Sequence, residues 1–347
     1  MKRFALFALL LVLILVVVGV WWLRRPVPTP PAEFDLQQEG LTGAIRQVVI
    51  ETAPFVYRFG VWIEAARARE STAIYDKQGR LLVMSRYTAD STLDFRLTYR
   101  YDEAGRILEE TSFAGDGSIL YKWIYEYDEQ GRQTSLSGFT GDGLLDYRVR
   151  FSYDEQGRLV REVAFSADET IIFEAEYSYE NGKRRTTRYF TQEGVADHLT
   201  VEIYDSAGRR IEETAFDAAG NVQYRISYRY DEAGRLIEEI AYGADGTVDY
   251  RLVNRYDERG NLIETVEFNP DGSVLFRYAY RHDEHRNLIE RSSYGGDGSL
   301  SFRFRYDYEF DEHGNWIKMV TLQWLTRFGE EQFVPILATH RTLVYDD

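Results

Sequence analysis

The chain has no cysteine among its 347 residues. That excludes disulfides, thiolate metal sites, a cysteine nucleophile and a lipid anchor carried on cysteine. Basic residues are outnumbered, 41 against 57 acidic, for a formal net charge of −16. Such a surface repels a phosphate backbone, so no nucleic-acid partner is expected. No Gly-rich phosphate loop, Ser-His-Asp grouping or nucleophile elbow occurs. Proline is scarce, seven in all, and four of them fall together in Pro26-Val27-Pro28-Thr29-Pro30-Pro31. That run is read as a stiff spacer.

Aromatic residues are plentiful at 15%, mostly Tyr and Phe, which favours sheet over helix. Ahead of the spacer, Lys2 and Arg3 precede an uncharged apolar run, Phe4 to Leu23, closed by Arg24 and Arg25. Twenty residues at about 1.5 Å each give roughly 30 Å, the depth of a bilayer core. Residues 1–25 are therefore expected to form an uncleaved signal anchor, one transmembrane helix, followed by a Pro-rich stalk over 26–40. The membrane is the first expected partner, through this anchor.

From Tyr75 a phrase recurs every 26 residues: Tyr75-Asp76-Lys77-Gln78-Gly79-Arg80, then again from Tyr101, Tyr127 and Tyr153. Later copies start at Tyr179, Tyr204, Tyr230, Tyr256, His282 and Phe310. A unit this small cannot bury a face alone, so neighbours must stack. Within one unit, Asp231-Glu232-Ala233-Gly234 and Gly243-Ala244-Asp245-Gly246 fit type I turns with a left-handed glycine. Each unit is thus one β-hairpin. The expected fold is all-β: an elongated, twisted and curled antiparallel hairpin meander of about twenty strands. Residues 75–316 form the repeat array, with β caps at 41–74 and 317–347. Asn181-Gly182 marks a unit shortened by one residue.

Turn geometry also suggests register. If Gly243 pairs with Thr247, Ile240 faces Tyr250 and Glu239 faces Arg251. Tyr250, Leu252 and Tyr256 then share an aromatic face with Leu236, Ile240 and Tyr242, while Glu239, Arg251 and Arg255 lie on the other. Glu110 with Lys122, and Glu213 with Arg225, are the equivalent pairs expected on that charged face.

The phrase Tyr230-Asp231-Glu232-Ala233-Gly234-Arg235-Leu236, and Tyr256-Asp257-Glu258-Arg259-Gly260-Asn261-Leu262 after it, resembles the YD-repeat, or RHS-like, family of bacterial repeats. The resemblance spans roughly Tyr75 to Ile317 and implies a stacked hairpin shell. In toxin systems it implies a longer shell with a C-terminal toxin; here no toxin-sized domain follows the array.

Candidate chemistry is sparse. Asp-rich turns such as Ala114-Gly115-Asp116-Gly117, Asn269-Pro270-Asp271-Gly272 and Gly295-Gly296-Asp297-Gly298 offer too few acidic positions for known calcium loops. Their carboxylates are expected to bond their own backbone. His282, His285 and His313 fall in successive turn phrases and read as turn residues, so no metal site is expected. No catalytic or cofactor-binding residue is expected. The one surface worth following is an aromatic row, Tyr147, Tyr224, Tyr250 and Phe276, suited to an extended ligand. The expected function is a non-enzymatic, membrane-tethered envelope protein that scaffolds or binds a protein or a glycan. Its repeat body would lie in the periplasm or outside the cell, on a single pass of the cytoplasmic membrane. The alternatives are a carbohydrate hydrolase with its site inside the curled sheet, and a relic or partner of an RHS-type toxin system.

Overall fold

The computed structural model describes residues 41–346, apart from 192 and 328. Every described element is a β-strand, and there are twenty-three of them. The first strand, Ile45–Arg58, pairs on one side with Ala68–Tyr75 and on the other with the last strand, Glu330–Tyr345. Between those two, each strand pairs antiparallel with the next in sequence. The short strand Val61–Glu64 pairs only with the far end of the first strand. The remaining 22 close into a barrel. At about 4.8 Å per strand the wall has a perimeter of roughly 106 Å.

Closure answers a physical need: an open meander would leave two long edges of unpaired amides and carbonyls, and here the edges pair with each other. A latch reinforces the seam. Asn315 receives the Thr42 amide at 2.8 Å and returns its own amide hydrogen to the Thr42 carbonyl at 2.8 Å. The Tyr345 hydroxyl donates to Asp311 at 2.5 Å, and the His313 ring stacks on Tyr345 at 4.2 Å.

No described helix is long and apolar enough to cross a membrane. The expected transmembrane helix is corrected to that extent: the described chain is strand and turn throughout. The expected anchor, 1–25, and stalk, 26–40, lie outside the described residues.

The turns form as their residues require. Gly243 and Gly246 amides bond the Thr247 and Gly243 carbonyls at 2.9 and 3.0 Å, and Gly234 and Gly246 take φ of +83° and +78°. The Tyr-Asp phrases staple one end of the barrel. The Tyr256 hydroxyl donates to the Leu236 carbonyl at 2.9 Å, the Arg235 guanidinium lies 4.8 Å from the Tyr256 ring centre, and Arg235 Nε bonds Asp231 at 2.6 Å. Tyr101, Leu81, Arg80 and Asp76 repeat that arrangement. The recurring Tyr, Asp and Arg are thus joints between neighbouring hairpins.

The expected register is off by one. Ile240 pairs with Arg251, Ala241 with Tyr250, and Glu239 with Leu252. A bulge between Ala241 and Tyr242, next to the turn, inserts one unpaired residue, and one residue moves a side chain to the other face. Each Glu-Glu pair is therefore divided between the two faces. Lys122 pairs with Glu109 at 3.3 Å and Arg225 with Glu212 at 3.8 Å, while Glu110 and Glu213 join the aromatic face.

Candidate binding surface on the inner wall

The two wall faces differ in kind. On one, a glutamate in several repeats holds a basic residue from each neighbouring strand: Glu238 meets Arg229 at 3.0 Å and Arg251 at 2.6 Å. Glu264 meets Arg255 at 3.0 Å and Arg277 at 2.6 Å. Burial lifts the Glu238 pKa, and the two guanidinium groups more than reverse that, leaving it below its ordinary value.

The other face is aromatic, and it is the concave one. Side chains two strands apart meet there across a small residue between them. Trp123 Nε1 donates to the Tyr147 hydroxyl at 3.1 Å, and the Tyr121 and Tyr147 rings stack 6.4 Å apart. Both rings lean over Gly138, where an added Cβ would come within 2.7 Å of each. Tyr278 and Phe302 approach similarly, at 6.5 Å. Such convergence places the aromatic face inside the barrel and the Arg–Glu ladders outside.

All four expected residues, Tyr147, Tyr224, Tyr250 and Phe276, stand on this inner face. Small residues stand across from them: Gly138 beside Tyr147, Ala215 and Gly243 beside Tyr224, Ala241 beside Tyr250, and Gly295 on one side of Phe276, whose other neighbour is Glu267. The three tyrosines are half-buried and Phe276 is 39% exposed. The Tyr224 hydroxyl donates to Glu213 at 2.7 Å, and Tyr250 donates to Glu239. Burial first, then these carboxylates, raise the pKa of both phenols, so both are neutral donors at ordinary pH.

Beside Tyr224 lies a charged network. Arg185 pairs with the buried Glu202, and Arg210 bridges Glu202, at 3.3 Å, to Glu213. Arg210 also donates to the Tyr228 hydroxyl at 3.0 Å, with its guanidinium 4.7 Å from that ring. Burial pushes the Tyr228 phenol up to about 12. Burial disfavours the Arg210 cation, but Glu213, Tyr228 and Glu202 outweigh this and raise its pKa. With both carboxylates neutralised, this network suits hydrogen bonding to a ligand better than general acid catalysis. The reading from sequence missed it, although a signal was present: Arg210 stands where Leu236 and Leu262 stand in later repeats, in the repeat that follows the one shortened at Asn181-Gly182.

The histidines do not converge: His313 is held by Tyr345, and the His285 amide caps Asp283 at 2.9 Å. Among the described residues no three of His, Cys, Asp or Glu are grouped to hold a metal. The Asp116 carboxylate accepts the Ser118 amide and hydroxyl at 2.9 and 2.6 Å, so that turn satisfies its own acid.

A family model described only as an uncharacterised protein matches residues 204–308. No curated protein matches the chain. Among solved structures the chain is similar to a porin-like protein from Bacteroides uniformis, at 12% identity and TM-score 0.31, over 87% of this chain and 98% of that one. A porin-like protein from Bacteroides vulgatus is similar at 11% identity and TM-score 0.21, over 88% and 99%. A TcdB2-TccC3-Cdc42 structure is similar at 14% identity and TM-score 0.23, over 77% of this chain and 20% of that one. At these TM-scores no property of those proteins carries over. The expected YD-repeat membership is corrected: the family model that matches is an uncharacterised one. The physical reason is that hairpin chemistry alone accounts for the phrase. Tyr, Asp, Gly and Arg each serve a turn or a joint between strands.

Proposed function

We propose that the protein is a non-enzymatic binding barrel of the bacterial envelope that takes an extended glycan along its inner wall. The observation that carries this is the row Tyr147, Tyr224, Tyr250 and Phe276, with small residues between rings and Glu213, Glu239 and Arg210 alongside. Flat rings suit the apolar faces of sugar rings, and adjacent charged groups suit hydroxyls. The apolar run Phe4 to Leu23, flanked by basic residues, supports export. The outer Arg–Glu ladders support a body standing in water, since a lipid-facing wall needs an uninterrupted apolar band.

The test is titration of the full chain against a polysaccharide panel, with product analysis alongside. Saturable binding without turnover is expected. Tyr224→Ala combined with Tyr250→Ala should weaken it roughly tenfold, the loss of two ring contacts. Release of shortened sugars, or binding that the double variant leaves unchanged, would contradict the proposal.

A further inference from the structure

On the outer wall the Arg–Glu ladder is interrupted at several strands, with Val83, Ser135 and Arg161 where Glu109, Glu212, Glu238 and Glu264 stand in other repeats, and at Ser135, on the strand Gln133–Thr140, the interruption opens a site. Ser135 pairs with Arg150 and Ser137 with Arg148 on the strand Leu145–Tyr153. Arg148 thus lacks the carboxylate that clamps Lys122, Arg225, Arg251 and Arg277 at the equivalent position, and Arg150, where other repeats carry Ile124, Ser227, Val253 and Ala279, adds a second guanidinium beside it. Arg251 and Arg277 close on Glu238 and Glu264 at 2.6 Å, whereas the only carboxylate that Arg148 and Arg150 reach is Glu169, at 3.9 and 3.5 Å. Glu169 comes from a turn, is 56% exposed, and holds a φ of +62°.

The missing carboxylate leaves a depression of about 370 Å³ lined by Glu126, Thr134, Ser135, Ser137, Arg148 and Arg150. Ser135 and Ser137 are 7% and 8% exposed at its floor. Arg148 Nε donates to the Ser137 hydroxyl at 3.1 Å, which fixes that guanidinium over the depression, and Arg150 lies against the Phe165 ring at 4.9 Å. Glu126 is the one acid in the lining, and it is engaged by the Ser135 hydroxyl.

We propose that this notch binds a tetrahedral oxyanion, a phosphate or sulfate group, in place of the absent ladder carboxylate. Two guanidinium groups supply fixed donors and compensate the charge, which is the arrangement that recognises such anions. Glu169 then acts as a weakly held occupant that the anion displaces. The site is on the opposite face of the wall from the aromatic row, so it stands or falls independently of glycan binding there.

The experiment is a titration of the full chain with inorganic phosphate and, separately, sulfate. Heteronuclear NMR or a thermal shift provides the readout, with sodium chloride and acetate at matched ionic strength as controls. Saturable binding of the tetrahedral anions, beyond the effect of the controls, is expected. Ser135→Glu restores the ladder carboxylate and should reduce that affinity by roughly tenfold or more. Arg148→Gln should do the same without restoring the ladder, which covers the case in which Ser135→Glu perturbs folding. An effect of phosphate no larger than that of chloride or acetate would overturn the proposal. Phosphate affinity unchanged in both variants would overturn it equally.

Discussion

At Gly234 the backbone runs through φ of +83°, a conformation that costs a side-chain-bearing residue roughly 1–2 kcal/mol. A β-branched residue resists it most. Gly234→Val should therefore lower stability by about 1–2 kcal/mol in urea denaturation; an unchanged midpoint would show that this turn is not needed. The Gly requirement could be read from sequence because turn chemistry is local. The placement of Glu239 could not. It depends on the bulge that leaves Asp249 unpaired opposite Ala241 and Tyr242, and that single residue decides whether Glu239 joins the Arg ladder or bonds Tyr250. Tyr224, Tyr250 and Phe276 share a face whatever the register because they lie on the long strands 26 residues apart, and Tyr147 keeps the same phase once the one-residue shortening at Asn181-Gly182 is counted. Arg210 and Glu202 were missed because they matter only once Glu213 is known to face inward.

At the scale of the hairpin, each unit is held by its turn carboxylates. Asp231 accepts the Arg235 amide at 2.9 Å and its Nε at 2.6 Å; the amide bond is the larger cause of its lowered pKa. Asp102 and Asp205 are depressed in the same way by Arg106 and Arg209. Asp116, Asp245 and Asp297 at the opposite end are lowered by the hydroxyls of Ser118, Thr247 and Ser299. A folded-state pKa below the unfolded value means stability that is complete above the unfolded pKa, near 3.9 for Asp, and lost as pH falls through the folded values. The melting temperature should therefore stay nearly level from pH 7 to about 5 and fall steeply below about 4. A melting temperature that holds level down to pH 2 would mean these carboxylates contribute nothing. The first hairpin extends past the ring and is tied back by Glu64, which meets His340 at 2.5 Å and Lys318 at 3.3 Å. That long-range tie has no local sequence signature.

Closure is a property of the whole molecule, and repeat counting could not supply it. The sequence shows ten near-copies of one hairpin and two ends that depart from the pattern. Whether those ends face water or each other depends on accumulated twist over twenty-two strands, which no single repeat encodes. The structure joins them: Thr52 pairs with Thr339, and the Thr42, Asn315 and Tyr345 latch holds the adjoining turn. The joined wall is what gives the aromatic row an inside. The absence of any native cysteine makes the seam directly testable. Paired residues of an antiparallel ladder stand about 4.5–5.5 Å apart, within disulfide reach. Thr52→Cys with Thr339→Cys, oxidised at high dilution, should give near-complete intramolecular cross-linking on a non-reducing gel. Thr52→Cys with Thr187→Cys serves as the unlinked control. No cross-link, or cross-linking only into dimers, would mean that the meander is open and its edges pair with other copies or with nothing.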